Sequence, residues 1–135
     1  RVSNERIVSG PGLANIYAAL AAIKGIAVPP FEHKTLWDLA IAGIDPLATE
    51  ALERFCLSLG AVAGDLALAH GANTILLAGG ILPRIAHLLP GSGFAPRLTE
   101  KGRFRAYMAG IPVSLITHDQ PGLMGAAAAF AAANP

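Results

Sequence analysis

Thr74-Ile75-Leu76-Leu77-Ala78-Gly79-Gly80-Ile81-Leu82-Pro83-Arg84 begins with the pattern of a strand and ends with that of a helix. Thr74–Ala78 is a short apolar run without polar alternation, which predicts a strand covered on both faces. Two glycines close it. Pro83 then suits the first turn of a helix predicted over Ile81–Leu89. A mixed helix-and-loop segment, Gly91–Gly110, leads to a second run of the buried kind, Ile111–Thr117, and to a small Ala-rich closing helix, Gly122–Ala133. Strand, helix and strand in this order predict two parallel strands joined by a crossover, an α/β unit in a mostly helical chain. Two strands make too small a sheet to stand alone. Further strands are expected from upstream of Arg1 or from a second copy of the chain.

Upstream of this unit the pattern is helical. Ser3 is placed to cap a short helical turn through Val8, which Gly10 breaks. Pro11 opens a helix to Lys24 whose apolar face is Leu13, Ile16, Tyr17, Leu20 and Ile23, and Gly25 stops it. Val28-Pro29-Pro30 reads as a loop. Thr35 with Asp38 marks the start of a short helix, Leu36–Ala42. Asp45-Pro46 marks another, with Asp as cap and Pro just inside, running to His70. From Phe55 to Ala69 the only charge is Asp65, the pattern of a central helix. Gly60 and Gly64 each weaken a helix by about 1 kcal/mol relative to Ala, so a close-packed neighbour is expected over them.

Composition narrows the function. The chain has 135 residues, 53% hydrophobic and 14% charged, with net charge +1. That is one domain or a large piece of one. There is no electrostatic case for nucleic acid or an anionic membrane. Leu66–Pro83 is interrupted by His70, Asn73, two adjacent glycines and a proline, and Leu123–Ala133 is too short to span a bilayer. The first residues carry no apolar segment of a signal peptide. A single cysteine, Cys56, cannot form an internal disulfide and fits a reducing compartment.

Few side chains stand out as chemical groups. Gly79-Gly80, at the carboxyl end of a strand and before a helix, is placed where ligands of open α/β sheets sit. Its alternative is a plain turn. Glu5, read without context, is a surface acid. Ser9-Gly10-Pro11-Gly12 reads as helix punctuation rather than a phosphate cradle. His33, His70, His87 and His118 show no paired metal spacing. Cys56 has no basic neighbour and reads as buried and inert. Asp119 is better placed to cap the closing helix than to face a ligand. Lys101, Arg103 and Arg105, with Arg97, form the only basic cluster, read as a solvated face or an oligomer contact.

Glu5-Arg6-Ile7-Val8-Ser9-Gly10-Pro11-Gly12-Leu13, the Thr74–Arg84 stretch, Lys101-Gly102-Arg103-Phe104 and His118-Asp119-Gln120-Pro121-Gly122-Leu123-Met124-Gly125 together resemble, in the right order, the C-terminal part of bacterial-type glucokinases. The resemblance covers nearly the whole chain. It implies a ribonuclease H-like, actin-like ATPase fold, with residues 1–135 a partial large domain. The family's N-terminal domain, phosphate loop and catalytic aspartate would lie upstream of Arg1. It further implies ATP-dependent phosphorylation of glucose to glucose 6-phosphate in the cytoplasm, by a homodimer. ATP and magnesium would be the cofactors, the metal held mainly by parts outside this chain. By the same resemblance Gly79 and Gly80 would line the adenosine, with Ile81 and Pro83 beside them. Glu5 would hydrogen-bond glucose and would not be the base. No catalytic residue falls in the chain, so the chain alone is expected to be inactive. It is expected to self-associate, or to pair with the N-terminal half of the same protein. The rival readings are a kinase for another hexose and a non-catalytic actin-like assembly module.

Overall fold

The computed structural model describes residues 2–134. Its centre is a long helix, and the sequence shows why that helix starts and stops where it does. α3 spans Pro46–His70. The Asp45 carboxylate accepts the Ala48 backbone N–H at 2.8 Å, and Pro46 occupies the first turn, where its missing N–H costs nothing. Gly71 ends the helix with φ of 60°, and the Ala72 N–H closes back on the Ala67 carbonyl at 2.8 Å. That left-handed closure favours glycine. α1, Gly12–Lys24, ends the same way at Gly25. The Tyr17 hydroxyl of α1 donates to the other Asp45 oxygen at 3.2 Å, so one carboxylate caps α3 and ties α1 to it.

Around α3 pack α1, α2 (His33–Ile41) and α5 (Phe94–Thr99). Trp37 of α2 stands edge-on to Phe55 of α3, ring centres 5.1 Å apart. A Cβ on Gly60 would overlap the Phe94 carbonyl, and one on Gly64 the Leu98 carbonyl. The expected close neighbour is therefore α5. The Glu53 carboxylate of α3 accepts the Gly93 N–H that precedes α5 at 2.8 Å, and the Ser92 hydroxyl accepts the Phe94 N–H at 3.2 Å. Lys101, just beyond α5, folds back on α3, donating to Asp65 at 2.6 Å and to the Ala61 carbonyl at 3.0 Å. Its side chain is only 11% exposed, which corrects the reading of the basic cluster as one solvated face. Arg97 pairs with Glu100 instead, and Arg103 lies over the Phe104 ring.

β1 (Ile75–Leu77) and β2 (Val113–Leu115) form a parallel pair with Ile75 opposite Val113 and Leu77 opposite Leu115. Between them run α4 (Leu82–Ile85), α5 and α6 (Arg105–Ala109). The crossover unit is as predicted, but its burial is not. Ile75 and Leu77 face the core while Leu76 is 62% exposed, and β2 is open along most of its length. Helices of this chain cover one face of β1 only. α7, Pro121–Ala133, has no buried residue.

Smaller expectations also change. Ser3 flanks a 3-10 turn, Asn4–Arg6, without capping it by its side chain. Ile23 points to solvent because it falls at the edge of the α1 stripe that Leu13, Tyr17 and Ala21 complete. α2 begins at His33, after Glu32, so Thr35 lies inside the helix and caps nothing. α4 stops at Ile85, four residues short of the predicted Leu89. The chain continues in 3-10 turns, with the Leu88 N–H on the Ile85 carbonyl at 2.9 Å. Asp119 does not cap α7, whose start carries no side-chain cap. The nearby Gln120 N–H goes to His118 Nδ1 at 2.9 Å.

Candidate functional site

The turn after β1 and the break before α1 meet across a small cleft. One wall is Ala78-Gly79-Gly80-Ile81, the other Val8-Ser9-Gly10, and Phe55 and Leu59 of α3 form the apolar floor. Its volume is about 190 Å3. A complete small-molecule pocket is roughly 300–1,000 Å3, so this cleft is too small to enclose a whole ligand of that class.

The glycines of the cleft differ in why they are glycine. Gly79 has φ of 129°, which L side chains rarely adopt. Gly80 has no such φ, and a Cβ there would meet nothing within 4 Å. A Cβ on Gly10 would reach only Ile81 Cγ1, at an ordinary 3.9 Å. Neither Gly80 nor Gly10 is required by the chain's own backbone or packing. They leave both walls bare. Gly12, by contrast, is a packing glycine, since a Cβ there would overlap the Ile7 carbonyl. The segment is thus punctuation at Gly12 and wall at Gly10, and the sequence reading found only the first role.

Of the predicted site residues, Gly79, Gly80 and Ile81 come together on one wall. Pro83 sits exposed in the first turn of α4, outside the lining. α4 has only 4 residues, too few to focus a helix dipole on a ligand, so backbone access rather than helix charge distinguishes this turn. Glu5 lies in the exposed 3-10 turn one side of the Val8–Gly10 wall. Its strand of chain is held by Asn15, whose amide donates to the Arg6 carbonyl at 2.8 Å. Cys56 is buried below the surface of α3 and its thiol pKa is pushed up, first by burial and then by Glu53, against a hydrogen bond from Ser92. Among the described residues no group of three or more His, Cys, Asp and Glu converges to hold a metal, and no helix is long and apolar enough to cross a membrane.

Sequence reasoning missed Trp37, Phe55 and Leu59 as parts of this site. Only the fold brings them to it; the one available signal was that Trp37 is the single tryptophan of the chain.

Known proteins match this architecture. The glucokinase family model aligns with residues 1–133. The glucokinase of Zymomonas mobilis is 60% identical over 131 residues, covering 97% of this chain and 40% of that protein. A glucokinase of Xanthomonas campestris is 46% identical over 129 residues, covering 95% of this chain and 38% of its own length. A crystal structure of a glucokinase from an Antarctic psychrotroph superposes with a TM-score of 0.87 at 42% identity, covering 96% of this chain and 40% of that one. The chain thus spans about 40% of the length of the relatives it matches. The chain belongs to the glucokinase family.

Proposed function

We propose that this chain is the part of an ATP-dependent glucokinase that supplies the adenosine side of the nucleotide site and one glucose contact. The observation that carries the reading is the pair of bare walls at Gly80 and Gly10, which the chain's own packing leaves unexplained and which a flat nucleoside needs for close approach. The Gly79-Gly80 turn, with Ile81 beside it, lies against the nucleoside, while Pro83 holds the start of α4 behind it. Glu5 serves as a rigid charged acceptor for a sugar hydroxyl. Phosphoryl transfer rests on positioning and on charge stabilisation. The part described here contributes positioning. The base and the phosphate loops belong to the N-terminal part of the protein, which is this chain's first partner. Magnesium, by the same reading, is held mainly by that N-terminal part and by the ATP phosphates. The same reading places the protein in the cytoplasm as a homodimer.

The test uses the whole protein that carries this chain. Glu5→Gln removes a charged acceptor while keeping its shape, worth about 1.5–3 kcal/mol, or roughly ten- to hundredfold in glucose KM, with ATP KM unchanged. Gly80→Val places a branched side chain in the bare wall and raises ATP KM with glucose KM unchanged. Unaltered KM values in both folded variants would leave the chain as a non-catalytic assembly module or a kinase with other contacts.

A further inference from the structure

We propose that α2 sets the width of the cleft, and that Trp37 is a positioning residue for the nucleotide. The inference rests on the nucleotide reading above. The Trp37 indole is 2% exposed, and its Nε1–H donates to the Gly10 carbonyl at 2.8 Å. Indole nitrogen is a donor only, and a buried donor is seldom left without an acceptor, so the bond fixes both partners. The same ring stands edge-on to Phe55, which is the cleft floor. One side chain therefore touches a wall and the floor without lining the cleft.

The next residue reaches the other wall. The Asp38 carboxylate accepts from Arg84 Nη2 at 2.6 Å, and Arg84 belongs to α4, directly behind Ile81 and Leu82. Adjacent residues of one helix thus hold the two walls, Trp37 on the Gly10 side and Asp38 on the Gly79-Gly80 side. The grips are unequal. The Trp37 bond is partly buried, while the Asp38 and Arg84 side chains are 58% and 35% exposed, where ion pairs contribute little. The Glu5 side of the same segment is held separately, within α1, by Asn15 and by the packing of Gly12 against Ile7. Loosening Trp37 therefore moves the nucleotide wall and spares the sugar contact.

The experiment replaces Trp37, in the whole protein, by benzothienylalanine, which has sulfur in place of the indole N–H and keeps the ring shape. Steady-state kinetics should show ATP KM raised roughly tenfold, as for loss of one buried hydrogen bond. Glucose KM and kcat should stay within about twofold. Azatryptophan at the same position keeps the donor and should restore the ATP KM. Asp38→Asn should shift ATP KM in the same direction by about two- to threefold. The inference is overturned if the sulfur analogue leaves ATP KM unchanged while Gly80→Val raises it, or if azatryptophan is impaired equally, since the ring and not the donor would then matter. If neither the analogue nor Gly80→Val moves ATP KM, the nucleotide reading fails and takes this inference with it.

Discussion

α3 and α7 are both alanine-rich helices with few charges, yet one is the centre of the molecule and the other has no buried residue. The difference is not in hydrophobicity. α3 carries small residues at Gly60 and Gly64 whose backbone meets the carbonyls of Phe94 and Leu98. It also carries Glu53 and Asp65, which fasten α5 and Lys101. α7 has Leu123, Met124 and Phe130 open at 68, 56 and 72%, and Gly125 faces open space. An apolar helix is buried when another element has the matching relief, and for α3 that element lies in the same chain.

Four substitutions test this contrast. The largest effect is expected from Phe55→Ala, which empties a position packed by Trp37 and lining the cleft floor. It should cost about 3–5 kcal/mol in urea unfolding. A loss below 1 kcal/mol would mean that the α2–α3 contact is not the core it resembles. Next come two identical changes of opposite sign. Gly60→Ala forces a Cβ into the Phe94 carbonyl and should destabilise by about 1–3 kcal/mol despite the better helix propensity. Gly125→Ala in α7 meets nothing within 4 Å and should stabilise by about 0.5–1 kcal/mol. Equal signs would break the contrast. The smallest effect is Phe130→Ser, within about 0.5 kcal/mol for an exposed position of this chain. In the whole protein a much larger loss would sharpen the contrast, by showing that α7 has its matching relief outside these residues.

What could be read from the sequence was what neighbours in sequence control. Asp45-Pro46, Gly25 and Gly71 set helix ends through bonds reaching three to five residues. The parallel pair followed from the strand–helix–strand order. The Gly79-Gly80 turn was visible because its backbone requirement is local. Misread features depended on distant partners or on competing local bonds. Thr35 loses its capping role because α2 starts three residues earlier than expected, at His33. The uninterrupted apolar run at β1 describes a strand suited to cover on both faces, whereas this chain's helices cover one face of it. In the site, one wall was legible and the opposite wall was taken for punctuation. The floor and the indole that braces it come from helices remote in sequence, and a lone tryptophan in a short amphipathic helix has no local signature of what it will touch.

The ladder between β1 and β2 also has a consequence in time. Ile75 N–H meets the Pro112 carbonyl and Ile116 N–H meets the Leu77 carbonyl, so no bond of the ladder closes until the whole crossover has been gathered. Closing a long loop delays such contacts relative to local ones. A chain leaving the ribosome has all of α1, α2 and α3 to fold upon before β2 is synthesised. The glycine turn that ends β1 is therefore expected to settle into its final frame after α1, α2 and α3 have packed.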